Sequence, residues 1–200
     1  MIHFAAGPKR AELGFTYAVR TAFKFLEDGF GLRVVRVEEP TFVRYESPST
    51  FVNVYHSRSG YRVGAEIGRF ITHLGDQIED RVSLFELVSA AGDQKAAQSV
   101  DVPAESGAAV LSGVQEVARL VRNYGVGLLR GDDEAYSELA EYRRLANERH
   151  AAEGARLWEM RQAAHNAWRR GDRREAARLL CQLPGLTEDE KRMLSTAREG

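Results

Sequence analysis

Residues able to do acid–base or metal chemistry are scattered along this 200-residue chain. The five histidines, His3, His56, His73, His150 and His165, show neither HxxxH nor HxH spacing, so no pair is placed to grip a metal. His56, with Arg58 and Glu66 close in sequence, is the best candidate base, set against a plain turn histidine; it has no nucleophile or metal to work with. Asp132-Asp133-Glu134 after Gly131 has the composition of a cation cluster, but carboxylates at a helix start also suit the positive end of the helix dipole, and capping is the preferred reading. Cys181, beside Leu180 on the apolar side of a helix, reads as a small core residue. Nucleophile elbow, phosphate loop and dinucleotide fingerprint are all missing. The expectation is a protein with no catalytic residue, metal or cofactor.

The more organised chemistry is recognition. In the segment LRVVRVEEPTFVRYESPSTFVNVYHSRSGYRVGAEIGRF (32–70), Arg44 and Glu46, and Asn53 and Tyr55, stand two apart and Arg62 and Glu66 four apart, even spacings that keep each pair on one side of its strand. If their strands pair as hairpins, the six form one charged, hydrogen-bonding sheet face. Cross-strand Arg–Glu pairing on an open face is the mundane explanation, and a protein-contact surface the functional one. A second cluster lies in the tail. Residues 142–178 hold ten arginines against five acids, densest at Arg169, Arg170, Arg173 and Arg174. Guanidinium groups so placed could meet phosphate or an acidic partner. A solvated helix laced with intrahelical pairs is the alternative, favoured because no aromatic interleaving accompanies the arginines.

The elements that must position these residues follow from hydrophobic period. After Gly7-Pro8, a helix is expected from about Lys9 to Asp28, with Phe15, Val19, Ala22, Phe23 and Leu26 on one stripe and Gly29 and Gly31 ending it. Four strands come next. Val35 and Val37, then Val43 and Tyr45, then Val52, Val54 and His56, then Tyr61, Val63, Ala65 and Ile67 each share a face. Glu39-Pro40, Ser47-Pro48-Ser49 and Ser57-Arg58-Ser59-Gly60 supply the turns. The apolar face of such a meander needs a cover, and the first helix is the candidate. Ser83 caps a helix to Ala91, residues 92–106 read as a loop, and a further helix carries Leu111, Val114, Val117, Ala118 and Val121. From Gly131 onward the chain reads as helical, with one long helix over 134–170, a Gly171-Asp172 break, and a capping box at Thr187 and Glu190. Two domains are expected, an α+β domain over 1–128 and a helical region over 129–200.

Composition sets the bounds. Hydrophobic content of 44%, charged content of 28% and a net charge of -1 suit a globular protein with no overall pull toward nucleic acid or an anionic membrane. The start of the chain lacks a signal-peptide pattern, no apolar run is long enough to cross a bilayer, and a single cysteine forms no internal disulfide. These features lead us to expect a cytoplasmic protein. A homodimer through the long C-terminal helix is compatible with them, although its apolar stripe is broken.

Two stretches carry a resemblance. ESPSTFVNVYHSRSGYRVGAEIG resembles bacterial proteins with a helix–β-meander core, and VARLVRNYGVGLLRGDDEAYSEL resembles the helical segment that follows it in them. In size and layout such proteins are similar to the immunity proteins of bacterial toxin systems. The resemblance implies non-catalytic binding of another protein, a toxin, and defines no functional residue. Residues 163–197 resemble one tetratricopeptide-like hairpin, on Ala164, Ala167, Trp168, Gly171, Asp172, Glu175, Ala176 and Leu179. One unit makes no solenoid, so packing against the long helix is expected. The preferred function is thus protein binding through the sheet face, with nucleic-acid association through the tail arginines as the alternative.

Overall fold

Alternation of apolar residues dominates residues 42–67, and there the backbone is an antiparallel sheet. The computed structural model describes residues 10–57, 60–100 and 102–199; His3, the Gly7-Pro8-Lys9 helix start, Arg58 and Ser59 lie outside the described residues. The chain divides into two compact units, Met1–Ala140 and Glu141–Gly200.

The first unit is α+β. A 3-10 turn (Arg10–Leu13) precedes α1 (Phe15–Ala22) and α2 (Lys24–Phe30). The expected single helix is therefore interrupted, at Gly14 with φ 70° and at Phe23, although Phe15, Val19, Phe23 and Leu26 are all buried as one stripe. Then come β1 (Arg33–Glu38), β2 (Phe42–Glu46), β3 (Thr50–His56), β4 (Arg62–His73) and β5 (Asp76–Ser83). They are followed by α3 (Leu84–Ala90), α4 (Gln94–Ala97), β6 (Val102–Pro103), α5 (Gly107–Tyr124), α6 (Val126–Arg130) and α7 (Asp133–Arg169), which continues into the second unit. No helix among the described residues is long and apolar enough to cross a membrane.

The sheet has six strands among the described residues, where four were expected. The order is β1-β2-β3-β4-β5, with β6 pairing to the start of β4 through Val63 and Val102. Of the two added strands, β5 arises because β4 runs on to His73 and turns back at Leu74-Gly75, both with positive φ, the sign pattern of a tight two-residue hairpin turn. Leucine is a poor residue for that conformation and Leu74 is fully solvent-facing, so the turn signal was absent from the sequence. Residues 92–106, expected as a loop, contain α4, capped by the Asp93 carboxylate, and β6.

The period of two sorts the sheet into faces. Val43, Tyr45, Val52, Val54, Val63, Ala65, Ile67 and Val82 are all buried on one side. Phe23 stacks on Tyr45 with ring centroids 6.2 Å apart, and Phe15 stacks on His56 at 5.7 Å. In β1 the expected Val35–Val37 pairing of faces fails. A bulge between Val34 and Arg36 puts Val34 opposite Tyr45 and Val37 opposite Val43, and leaves Val35 54% exposed.

The second unit contains the remainder of α7, α8 (Arg173–Leu180) and α9 (Glu188–Glu199). Ala164, Leu180 and Leu183 form its centre, with Leu157, Met160, Leu179, Met193 and Leu194 against them. Gly171, with φ 84°, makes the break, and the Asp172 carboxylate accepts from the Glu175 backbone N–H at 3.0 Å to start α8.

Candidate functional site

The face opposite the core carries the six sheet residues singled out in sequence. Register places Arg44 across from Asn53, Asn53 across from Glu66, and Glu66 across from Ser83, one row spanning four strands. The neighbouring rows are Glu46, Phe51, Gly68 and Arg81 on one side, and Phe42, Tyr55 and Gly64 on the other. The two glycines have a geometric reason. A Cβ at Gly64 would lie 2.7 Å from the Tyr55 ring, and one at Gly68 2.2 Å from Phe51 Cζ. Each aromatic ring of β3 therefore lies flat over a bare backbone position of β4.

Arg44 is the hub. It is a buried residue, and its guanidinium lies over the Phe51 ring at 4.2 Å from the centroid. Its Nε donates to Glu46, its Nη1 to Asn53 Oδ1 at 3.3 Å, and its Nη2 to Glu79 Oε1 at 2.8 Å. Asn53, 2% exposed, passes the array on by donating from Nδ2 to Glu66 Oε2 at 3.3 Å. Arg81 closes the far side, donating from Nε to Glu79 Oε2 at 2.8 Å, with its Nη1 3.9 Å from Glu66. Burial by itself would lower the Arg44 pKa, but the bonds to Glu79 and Glu46 outweigh it and raise the pKa. Burial likewise opposes ionisation of Glu79, yet Arg44 and Arg81 hold that carboxyl below its ordinary range.

Four of the six expected residues, Arg44, Glu46, Asn53 and Glu66, thus belong to one network. The other two, Tyr55 and Arg62, lie along the same face in a groove of about 490 Å³. Its floor includes Ala65, Leu84, Ala97 and Val100, and its lip includes Ser57 and Phe85, the latter 56% exposed. A smaller hollow of about 240 Å³ lies over the network, lined by Arg36, Glu38 and Phe42 besides Arg44, Asn53, Glu66 and Arg81. Glu79 and Arg81 were missed in sequence because β5 was not recognised. The signal that would have found them is the alternation of Glu79, Arg81 and Ser83 at a spacing of two.

The remaining candidates are structural. His56 and Glu66 lie on opposite faces of the sheet, so the acid–base pair does not form. His56 is buried in the core, its Nε2 donating to the Ala104 carbonyl at 3.0 Å, while Nδ1 has no hydrogen-bond partner within 3.5 Å among the described residues. Burial, followed by the opposing Ala104 bond and then the charge of Arg10, leaves its pKa lowered and the ring neutral. Asp133 sits at the start of α7 and accepts from Arg69 Nη1 at 3.1 Å. Cys181 is exposed at the end of α8, contrary to its reading as a core residue, because α8 stops at Leu180. Among the described residues no three His, Cys, Asp or Glu side chains stand close enough to hold a metal ion.

In the second unit the four arginines do not form one patch of equal members. Arg169 donates to Asn166, and Arg173 lies over the Trp168 ring at 3.5 Å from the centroid. Arg170 and Arg174 are exposed and make no side-chain bond among the described residues. An aromatic ring does therefore accompany the arginines, contrary to the sequence reading, since Trp168 is brought beneath Arg173 by the turn at Gly171. The most buried charge of this unit is Glu190. It completes the capping box, accepting from the Thr187 backbone N–H at 2.8 Å, and also takes Arg161 Nε at 2.6 Å and His165 Nε2 at 3.3 Å. Burial pushes its pKa up, but those donors outweigh burial and hold it low.

No protein-family model, curated protein or solved structure matches this chain.

Proposed function

We propose that the chain is a non-catalytic protein-binding module that meets its partner through the sheet face opposite the core. The observation that carries this reading is the Arg44 array. Seven side chains, Arg44, Glu46, Phe51, Asn53, Glu66, Glu79 and Arg81, are tied to one another across four strands. A surface whose charged groups are already oriented loses little conformational freedom on binding. The adjoining groove, with a floor of small and aliphatic residues and Phe85 exposed at its lip, suits an apolar anchor from the partner. The resemblance in size and layout to toxin-immunity proteins, read from the sequence, makes a bacterial toxin the leading partner class in this proposal, and a cytoplasmic location goes with it.

The test is affinity capture from native lysate, with and without nuclease, using the wild type beside Arg62→Glu/Arg81→Glu and Phe85→Asp variants. These positions rim the site, whereas Arg44 is part of the fold. One protein retained after nuclease and lost from the variants supports the reading. A partner held equally by all three proteins overturns it.

One observation favours a second reading, association with nucleic acid through the tail. Arg170 and Arg174, beside the Trp168–Arg173 stack, are exposed and make no side-chain bond among the described residues, and aromatic–guanidinium pairs also serve single-stranded nucleic acid. It requires affinity that falls steeply with salt, about one unit of log–log slope per phosphate neutralised. A flat salt dependence removes it.

A further inference from the structure

Among the described residues nothing pairs with the outer edge of β1, which pairs only with β2 and ends the sheet. Its core-facing residues, Val34 and Val37, remain partly exposed although their cross-strand neighbours Tyr45 and Val43 are fully buried. Arg33 makes no side-chain bond among the described residues. Charges and bulges at an edge ordinarily deter another strand. Here they are complementary to themselves.

A second copy of β1 laid antiparallel with full overlap places Arg33 opposite Glu38 at both ends, and Val34 opposite Val37. Residues facing each other in antiparallel strands must project from the same face. In a regular six-residue strand the first and last residues project from opposite faces, so this register would be forbidden. The bulge removes that obstacle. Arg33 opposes Glu46, and Glu38 opposes Phe42, both on the polar face, whereas Val34 and Val37 oppose core residues. With one residue taken out of the alternation, the fully overlapped self-pairing sets Arg33 against Glu38 on the polar face and Val34 against Val37 on the core face, while the bulge residues Val35 and Arg36 of the two copies meet at the centre; Glu38, which accepts from Arg36 within its own strand, would then be shared between two guanidinium groups.

We propose that β1 is a self-recognition edge, through which two copies join by antiparallel β1–β1 pairing about a two-fold axis into one continuous sheet. The occupant is a second copy because the match is palindromic: the sequence RVVRVE supplies both the cation and the anion of each end pair. The proposal does not depend on the partner reading of the polar face, and would set two such faces side by side.

The experiment is sedimentation equilibrium of the full chain from micromolar to sub-millimolar concentration. A dimer is expected. Arg33→Glu and Glu38→Arg should each weaken it roughly tenfold, by setting like charges opposite at both ends, and the double variant R33E/E38R should restore it. A wild type that stays monomeric overturns the proposal. So does a dimer indifferent to the single reversals, or one the double variant fails to restore. Amide hydrogen exchange on the wild type gives a reading independent of any variant's folding. Protection of the Val34–Val37 amides must rise with protein concentration; protection that does not change with concentration also overturns the proposal.

Discussion

Replacing Arg44 by methionine tests whether the sheet face is a fixed array. Methionine keeps a stem over Phe51 but removes every donor, leaving Glu46, Glu79 and Asn53 Oδ1 unmatched. Removing one member of a buried ion pair costs about 3–5 kcal/mol. The two carboxylates are 31% and 28% exposed and regain some water, so the expected loss is smaller, about 2–4 kcal/mol. For a unit of this size that corresponds to a fall in Tm of roughly 4–16 °C. The assay is urea unfolding followed by the tyrosine signal, together with exchange of the β2–β4 amides; both tryptophans, Trp158 and Trp168, lie in the second unit and report on it separately. A carboxyl whose folded pKa is lowered contributes stability above its ordinary titration range and loses it as pH falls through the folded value. The gap between wild type and variant should therefore narrow toward pH 3. A variant within about 0.5 kcal/mol of wild type at neutral pH, or a gap unchanged by acid, would refute the reasoning.

Two further outcomes follow from the same face and the core behind it. Gly68→Ala should cost about 2–3 kcal/mol, because its Cβ meets both the Phe51 ring and the Asp80 backbone oxygen at 2.8 Å, whereas Gly64→Ala should cost about 1 kcal/mol or less, since only the far end of the Tyr55 side chain must move; equal denaturation midpoints for the two would contradict this. His56 titrates with its pKa lowered by burial, so the unfolded chain binds the proton more readily and stability should fall as pH drops below about 6.5, with a slope of at most about 1.4 kcal/mol per pH unit. His56→Gln should flatten that part of the pH profile, and a profile identical to wild type would show that His56 is not its source.

What was legible in the sequence is what depends on near neighbours along the chain. Alternation over residues 42–67 assigns each side chain to a face without reference to any other element, and so Arg44, Glu46, Asn53, Tyr55, Arg62 and Glu66 share one side as expected. The Ser83 and Thr187 capping boxes are equally local, each closed within three residues. The β4–β5 hairpin escaped because its outer half is solvent-exposed on both faces and turns at a leucine, so neither burial nor turn chemistry marked it. The β1 bulge escaped because Val35 satisfies the alternation in sequence and violates it only against β2.

The sequence by itself determined the α+β class, the polar face and the helical tail, because period and capping are properties of adjacent residues. Tertiary structure decided which charges belong together. Arg44 reaches Glu79 across 35 positions, and Arg161 reaches Glu190 across 29, distances that only strand register and helix packing can close. It also decided which ionisable groups are buried. His56 and Glu66, ten positions apart in the sequence, are separated by the thickness of the sheet; one is a neutral core residue and the other part of the surface array.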